Sequence, residues 1–204
     1  MKKPASICIF GDSTSWGAWD IEKGGWVNRL WSYTGKRDED YTEIYNLSIS
    51  GGTTETILYR FENEALIRKA DALIFQTGGN DSSYQKKTGS PLVSLEQFSK
   101  NLEEIFIRAK KMTDNIIFVD LKNCNESKTM PVWWDEDLCF SNIMMGQYNE
   151  VAHDICKKHG VFSLKLENLS DNEFDEQDGL HPNAKGHEKI FEQIKYFLEK
   201  NNWI

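Results

Sequence analysis

Short apolar runs alternate with stretches of helical periodicity along the chain, and this alternation most constrains the fold. Five runs have the length and composition of buried strands: residues 7–10, 43–49, 72–75, 116–121 and 161–166. Between them, apolar residues recur every three or four positions, as on the buried face of a helix. Strand–helix alternation of this kind predicts a parallel sheet with helices on both faces, which is a doubly wound α/β fold.

The helical segments carry their own boundary signals. Ser94 and Gln97 form a predicted capping box before one apolar stripe, and Gly160 follows a basic helix end. Pro182 is typical of the start of the last helix. The longest stretch without periodicity is residues 123–140, a length that in compact domains usually indicates a functional or mobile loop. No repeat or linker divides the chain, so residues 1–204 are predicted to form one domain.

Charge and cysteine spacing exclude several classes of protein. With 24 Lys and Arg against 32 Asp and Glu, the formal net charge is −8, which disfavours nucleic acid and anionic membranes as partners. No apolar run approaches the ~18 residues of a membrane-spanning helix. The four cysteines stand far apart with no C-x-x-C pair, which disfavours a zinc ribbon or a dithiol redox motif. The apolar run at 7–10 is too short for a signal peptide, and we predict a cytoplasmic protein with reduced thiols.

Polar segments follow four of the predicted strands, three of them close to where the strand ends and the last further along the chain, beyond the fifth strand. These segments are Gly11-Asp12-Ser13-Thr14, Ser48-Ile49-Ser50-Gly51-Gly52, Gly78-Gly79-Asn80-Asp81 and Asp178-Gly179-Leu180-His181. In open parallel sheets, ligands bind beyond the carboxyl ends of the strands. We therefore expect the four segments to open onto one rim of the sheet.

Together the four segments supply the groups for nucleophilic catalysis. Ser13 is the candidate nucleophile, and His181 is the candidate base because imidazole titrates near neutral pH. Asp178 lies three residues before the histidine and is expected to bind the other ring nitrogen. The N–H groups of Ser13 and Gly51 and the Asn80 amide are predicted to form an oxyanion hole.

This set of motifs resembles the SGNH (GDSL-type) esterase and lipase family. The resemblance extends from Phe10 to Pro182, in the order and at the spacing of that family. It implies a flavodoxin-like three-layer α/β/α sandwich with a mostly parallel five-stranded sheet, and no metal or organic cofactor. It also implies Ser13, Asp178 and His181 as catalytic residues, with Ser13, Gly51 and Asn80 in the oxyanion hole. Thr14 departs from the Leu or Ile that many members carry after the serine. Residues 46–51 look especially like the small bacterial acyl-ester and thioester hydrolases of the family.

Aromatic residues near these motifs are candidates for contact with substrate. Trp133 and Trp134 are adjacent, and two neighbours in an extended segment cannot both point inward. At least one is therefore expected to line the pocket or to be exposed, as a wall for either an acyl chain or a sugar ring. Trp16, Trp19 and Trp26 cluster after Ser13, and core packing is the default expectation for a tryptophan.

The remaining polar candidates are interpreted as structural. His153 and His159 are expected at a helix surface and at its C-terminal end, and His187 in a structural role. Asp12 and Asp81 are expected to organise the loops around Ser13 and Asn80.

The sequence therefore predicts a serine esterase that acts on small carboxylic esters through an acyl-enzyme intermediate. A thioesterase or a carbohydrate O-deacetylase of the same family remains an alternative, as does a non-catalytic domain that binds a sugar or nucleotide. The nucleotide alternative is weak because no Gly-x-Gly-x-x-Gly or Gly-Lys-Ser/Thr loop follows a strand. The acyl length, the leaving group and the oligomeric state are left open.

Overall fold

Strands and helices alternate in the computed structural model, which describes residues 3–37 and 41–204. The first part contains β1 (Ser6–Gly11), α1 (Ser13–Trp16), α2 (Gly25–Thr34), β2 (Glu43–Asn46), α3 (Thr54–Ile67), β3 (Ala72–Gln76), α4 (Gly79–Ser82) and β4 (Tyr84–Gln85). The second part contains α5 (Leu95–Ala109), β5 (Ile116–Val119), α6 (Glu126–Thr129), β6 (Leu138–Cys139), α7 (Asn142–His159), β7 (Phe162–Leu164), a 3₁₀ turn (Asp171–Glu173) and α8 (Ala184–Lys200).

Five strands form one parallel sheet in the order β2-β1-β3-β5-β7. Phe10 pairs with Phe75, which pairs in turn with Phe118, so the register aligns bulky residues across the centre of the sheet. All five predicted strands are present. Three of them are shorter than predicted: β2 ends at Asn46, β5 ends at Val119, and β7 spans only Phe162–Leu164.

Alternate residues of the strands face two different helical layers. Cys8 and Phe10 point to the face covered by α3, α5 and α7, whereas Ile7 and Ile9 point to the face covered by α2 and α8. These side chains are wholly buried on both faces of the sheet. This burial explains why the sequences of the central strands are continuous apolar runs. The predicted three-layer α/β/α sandwich with its parallel five-stranded sheet is confirmed.

The structure differs from the sequence predictions in its shortest elements. The long segment at 123–140 contains α6 and β6, and β6 pairs with β4 in a separate antiparallel ribbon. Two-residue strands are too short to show an alternation pattern, so this ribbon carries no sequence signal. The last helix begins at Ala184 rather than at Pro182, because the Asn183 side chain caps it by accepting from the N–H groups of Lys185 and Gly186.

The chain adds β2 on one side of β1 and β3 on the other, so the direction in which the sheet grows changes at β1. Such a switch point leaves a crevice at the carboxyl ends of the two strands, where α/β proteins bind their ligands. Ser13 follows β1 and Asn80 follows β3, so the fold places both at this crevice.

Candidate active site

Ser13 lies in a tight turn between β1 and α1. Asp12 caps the helix, since its Oδ1 accepts a hydrogen bond of 2.9 Å from the Thr14 N–H. A Cβ at position 11 would lie 2.6 Å from Ser15 Oγ and 2.7 Å from the Gln76 carbonyl oxygen, so the turn requires glycine there. The Gly-Asp-Ser sequence thus fixes the serine at the end of the first strand.

The structure brings Ser13, His181 and Asp178 together in a hydrogen-bonded chain. His181 Nε2 lies 2.8 Å from Ser13 Oγ, although the two residues are 168 positions apart. His181 Nδ1 lies 2.7 Å from Asp178 Oδ2. A nucleophile, a base and a carboxylate in this order are the arrangement that lets an imidazole take a proton from a serine hydroxyl.

Asp178 is held in place by the backbone of its own turn. Its Oδ1 accepts from the N–H groups of Leu180 at 2.8 Å and His181 at 2.9 Å, and the residue is 1% exposed. Burial alone would raise the pKa of Asp178, yet hydrogen bonds from His181 and Trp19 hold it below its usual value. The carboxylate therefore stays ionised beside the imidazole.

Asn80 and Gly51 lie on the loops that follow β3 and β2. Asn80 Nδ2 donates to the Gly52 carbonyl oxygen at 2.9 Å, which leaves its second amide hydrogen for another acceptor. Gly51 adopts a φ of +76°, and its N–H donates to no acceptor within residues 3–37 and 41–204. The Asn80–Gly52 bond ties the two loops together, so both candidate oxyanion donors stand at the same rim.

A small cavity of about 30 Å³ lies behind Ser13, with room on the order of one water molecule. Its wall includes Ser13 and Asn80 together with a set of apolar side chains, which are Leu121, Phe140, Met145 and Leu180. Gly51 does not line this cavity. A space of this size next to the serine hydroxyl fits a short group rather than a long chain.

Lys122 also lines the cavity, and the sequence reasoning missed it. It is 7% exposed and donates to the Leu180 carbonyl oxygen, one residue before the histidine. Burial lowers the pKa of Lys122, while Cys124, Asp12 and Asp178 oppose that change. The signal was present, because Lys122 lies just beyond β5 as the other site residues lie beyond their strands.

Aromatic rings surround His181. Trp134 lies with its ring 6.5 Å from the imidazole at an interplanar angle of 30°, and Trp133 packs edge-on against Trp134. Both are exposed, as expected for at least one of them. Trp26 is a core residue, whereas Trp16 and Trp19 are exposed, so the default expectation of core packing is wrong for those two.

The residues interpreted as structural bind other parts of the protein. His187 is wholly buried and its Nε2 lies 2.9 Å from the Ala18 carbonyl oxygen. Asp81 accepts from the backbone N–H and the hydroxyl of Thr54 at the start of α3, and burial raises the pKa of Asp81 to about 6. Both side chains therefore join loops around the site to the helices beside them.

The histidines of α7 pair with carboxylates. His153 Nε2 lies 2.7 Å from Asp120 Oδ1, and His159 Nε2 lies 3.1 Å from Glu103 Oε1. Neither histidine is among the residues that line the cavity behind Ser13.

No group of three or more His, Cys, Asp or Glu side chains within residues 3–37 and 41–204 is arranged to hold a metal ion. None of the helices in these ranges is both long enough and apolar enough to cross a membrane. The four cysteines are free and buried, and burial raises the pKa of the Cys8 thiol to about 12.

Comparison with protein families identifies the chain. The model of the GDSL-like lipase/acylhydrolase family matches residues 9–189, which include every motif described above. The chain belongs to this family. The resemblance seen in the sequence is thereby confirmed, and the chain is a GDSL-type carboxylic ester hydrolase.

Solved structures of a lipase/acylhydrolase and of an acetylxylan esterase share the fold. A lipase/acylhydrolase from Enterococcus faecalis is 21% identical with a TM-score of 0.76, over 98% of this chain and 97% of that one. A catalytic mutant of Axe2, an acetylxylan esterase from Geobacillus stearothermophilus, is 19% identical with a TM-score of 0.73, over 100% and 97% of the two chains. At this identity the likeness concerns the fold.

One relative in sequence is an uncharacterized lipoprotein, YqeF, from Bacillus subtilis. It is 33% identical over 110 residues, which are 52% of this chain and 43% of that protein. The match therefore spans less than half the length of that relative. The predicted cytoplasmic location and the predicted lack of nucleic-acid and membrane partners are tested by none of these comparisons and stay predictions.

Proposed function

We propose that the chain is a serine esterase in which Ser13 is the nucleophile, His181 the base and Asp178 the residue that orients it. The observation that carries this proposal is the 2.8 Å contact between Ser13 Oγ and His181 Nε2, with Asp178 at 2.7 Å on the other ring nitrogen. A serine hydroxyl is a weak nucleophile until a base takes its proton, and this contact supplies the base.

The proposed reaction has two steps, which are acylation of Ser13 and hydrolysis of the acyl-enzyme. Ser13 Oγ attacks the acyl carbon while its proton moves to His181 Nε2, and the carbonyl oxygen becomes an oxyanion. The N–H groups of Ser13 and Gly51 and the Asn80 amide donate to that oxyanion. The bond from the acyl carbon to the alcohol oxygen then breaks as His181 returns the proton to the leaving oxygen. Water repeats the sequence on the acyl-enzyme and releases the acid.

The substrate is an ester with a small acyl group, of which acetyl is the best candidate. The cavity of about 30 Å³ that Ser13 lines supports this choice, because a space of this size has room for a short group. The aromatic surface of Trp134 and Trp133 beside His181 supports a sugar alcohol as leaving group, since sugar rings stack on indoles. A carbohydrate O-deacetylase is therefore the more specific candidate, and the acetylxylan esterase among the structural neighbours has an activity of this kind.

The test is a panel of p-nitrophenyl acetate, butyrate and octanoate, with acetylated xylosides and acetyl-CoA beside them. We expect kcat/KM for acetate to exceed that for octanoate by about tenfold or more, since the longer acyl chain exceeds the small cavity at Ser13. Ser13→Ala is expected to lose activity on every ester. A preference for octanoate would contradict the small acyl group, and full activity of Ser13→Ala would contradict the mechanism.

A further inference from the structure

A tryptophan outside the three proposed catalytic residues binds the carboxylate of Asp178. Trp19 Nε1 donates to Asp178 Oδ2 at 2.5 Å, and this is the same oxygen that lies 2.7 Å from His181 Nδ1. The indole also stands edge-on to the imidazole, with 6.0 Å between the ring centroids and an interplanar angle of 87°. Trp19 therefore contacts both the proposed base, His181, and the carboxylate of Asp178.

The backbone of Trp19 is in an unfavourable conformation. Its φ is +66°, in the left-handed region that bulky side chains rarely adopt. Its side chain is not a core residue either, because 54% of the residue remains exposed. Neither local preference nor burial accounts for the conformation. Strain of this kind persists where the surrounding structure imposes it, and it concentrates at functional sites.

The residues on either side of Trp19 are fixed by buried contacts. The Ala18 carbonyl oxygen lies 2.9 Å from His187 Nε2, and His187 is wholly buried in α8. The Asp20 carboxylate accepts from the Gly25 N–H at 2.9 Å and forms a buried ion pair with Arg29. These anchors hold the backbone on both sides of Trp19, so the indole is presented to Asp178 by a rigid loop.

We propose that Trp19 is a positioning residue, which holds Asp178 Oδ2 in line with His181 and tempers the basicity of the carboxylate. The proposal rests on the proposed function, because it requires the Ser13–His181–Asp178 chain to be catalytic. The hydrogen bond spreads the negative charge of Asp178 onto the indole N–H. His181 is then held in the orientation that its contact with Ser13 Oγ requires.

Other charged groups lie near Asp178 and His181, and a variant that tests Trp19 must leave these charges unchanged. Asp12 and Lys122 lie behind the site, and Lys122 is coupled electrostatically to both Asp12 and Asp178. His187 is coupled to His181 from α8. Replacing the indole by a neutral ring changes none of these charges, so a change in pH dependence reports on the hydrogen bond itself.

The experiment compares Trp19→Phe with Trp31→Phe on p-nitrophenyl acetate. Trp31 is a similarly exposed tryptophan on α2 that does not line the cavity at Ser13, so only the first variant removes a donor from Asp178. For Trp19→Phe we expect kcat to fall about tenfold with KM nearly unchanged, because a hydrogen bond to a charged group has been lost. The acid limb of kcat/KM against pH is expected to move to higher pH, since a more basic Asp178 stabilises the imidazolium. Trp31→Phe is expected to keep the wild-type acid limb.

A third variant distinguishes loss of the hydrogen bond to Asp178 from loss of stability. Trp19→Gly removes the donor while a glycine adopts the left-handed backbone without strain. We expect it to lose activity as Trp19→Phe does, with a Tm at or above that of Trp19→Phe. Wild-type kcat and a wild-type acid limb in Trp19→Phe would overturn the positioning role, as would an effect on KM alone. If wild-type protein is inactive, or Ser13→Ala is active, the proposed function itself fails.

Discussion

Two sets of residues near Ser13 have different proposed roles. His181 and Asp178 are the proposed base and its orienting carboxylate, and Asn80 and Gly51, on the loops after β3 and β2, are the proposed oxyanion donors. This division matters because each half of the proposed reaction needs both a proton carrier and a stabilised oxyanion. Single substitutions can therefore remove one function and leave the other.

Asn80→Ala tests the proposed stabilisation of the oxyanion by the Asn80 amide. Loss of one oxyanion donor typically costs ~10²–10³ in kcat, and we expect a loss of that size here. The fold should be kept, because within residues 3–37 and 41–204 the Asn80 side chain donates to a single acceptor, the Gly52 carbonyl oxygen. The measurement is kcat on p-nitrophenyl acetate beside Tm.

Asn115→Ala is the matched control for this substitution. Asn115 also donates to a backbone carbonyl oxygen, that of Asp71, but at the opposite end of the sheet. It is expected to turn over substrate like the wild type. Wild-type turnover in Asn80→Ala would show that Asn80 is misassigned.

Some of the site residues could be predicted from the sequence and others could not. Ser13, Asn80 and His181 follow or approach strand ends in short polar motifs, so topology alone predicted their convergence. Trp19 carries no such motif, and its bond to Asp178 joins residues 159 positions apart. Its role depends on a left-handed backbone that the local sequence does not favour. Such contacts follow only from the assembled structure.

Among the elements, α8 covers the sheet and also supports the loop that carries Trp19. Its apolar face packs on the sheet through Ile190 and Ile194, while its first turns carry His187 beneath the loop that presents Trp19. The long helices were predictable because their apolar spacing repeats over several turns. The ribbon of β4 and β6 was not, because each strand is two residues long and its pairing is set by distant contacts.

His187 should make the stability of the protein depend on pH. Burial lowers the pKa of His187 from 6.5 to about 4. The unfolded chain therefore binds more protons at this residue between these values, so the stabilisation is complete above pH 6.5 and is lost as the pH falls toward 4. The expected change is ~3 kcal/mol in the free energy of unfolding.

His187→Gln is expected to flatten this dependence, because glutamine keeps an amide donor for the Ala18 carbonyl oxygen but does not titrate. Urea unfolding of both proteins at pH 7.5 and pH 4.5 measures the difference. Carboxylates common to the two proteins cancel in the comparison. Equal losses of stability in wild type and variant would refute the assignment.

The whole molecule carries a formal net charge of −8. A field of this sign repels anionic ligands over distances up to the Debye length, which is ~30 Å at 0.01 M salt and ~8 Å at 0.15 M. We expect this charge to disfavour anionic substrates, so that uncharged acetylated sugars are better substrates than anionic thioesters such as acetyl-CoA.

Ionic strength therefore distinguishes the two kinds of substrate. We expect kcat/KM for acetyl-CoA to rise between 0.01 M and 0.15 M salt, because screening removes the repulsion. The same parameter for p-nitrophenyl acetate should stay constant. A rate with acetyl-CoA that falls with added salt would indicate a local cationic binding site and would contradict this account.

The most direct test of the central claim is covalent labelling of Ser13 by a fluorophosphonate, followed by intact-protein mass spectrometry. The wild type is expected to gain one adduct, Ser13→Ala none, and His181→Ala an adduct only slowly, because the base is gone. Ser50→Ala, which changes an exposed serine on the neighbouring rim loop, is expected to label like the wild type. Failure of the native protein to label, or an adduct on Ser13→Ala at the wild-type rate, would contradict the claim.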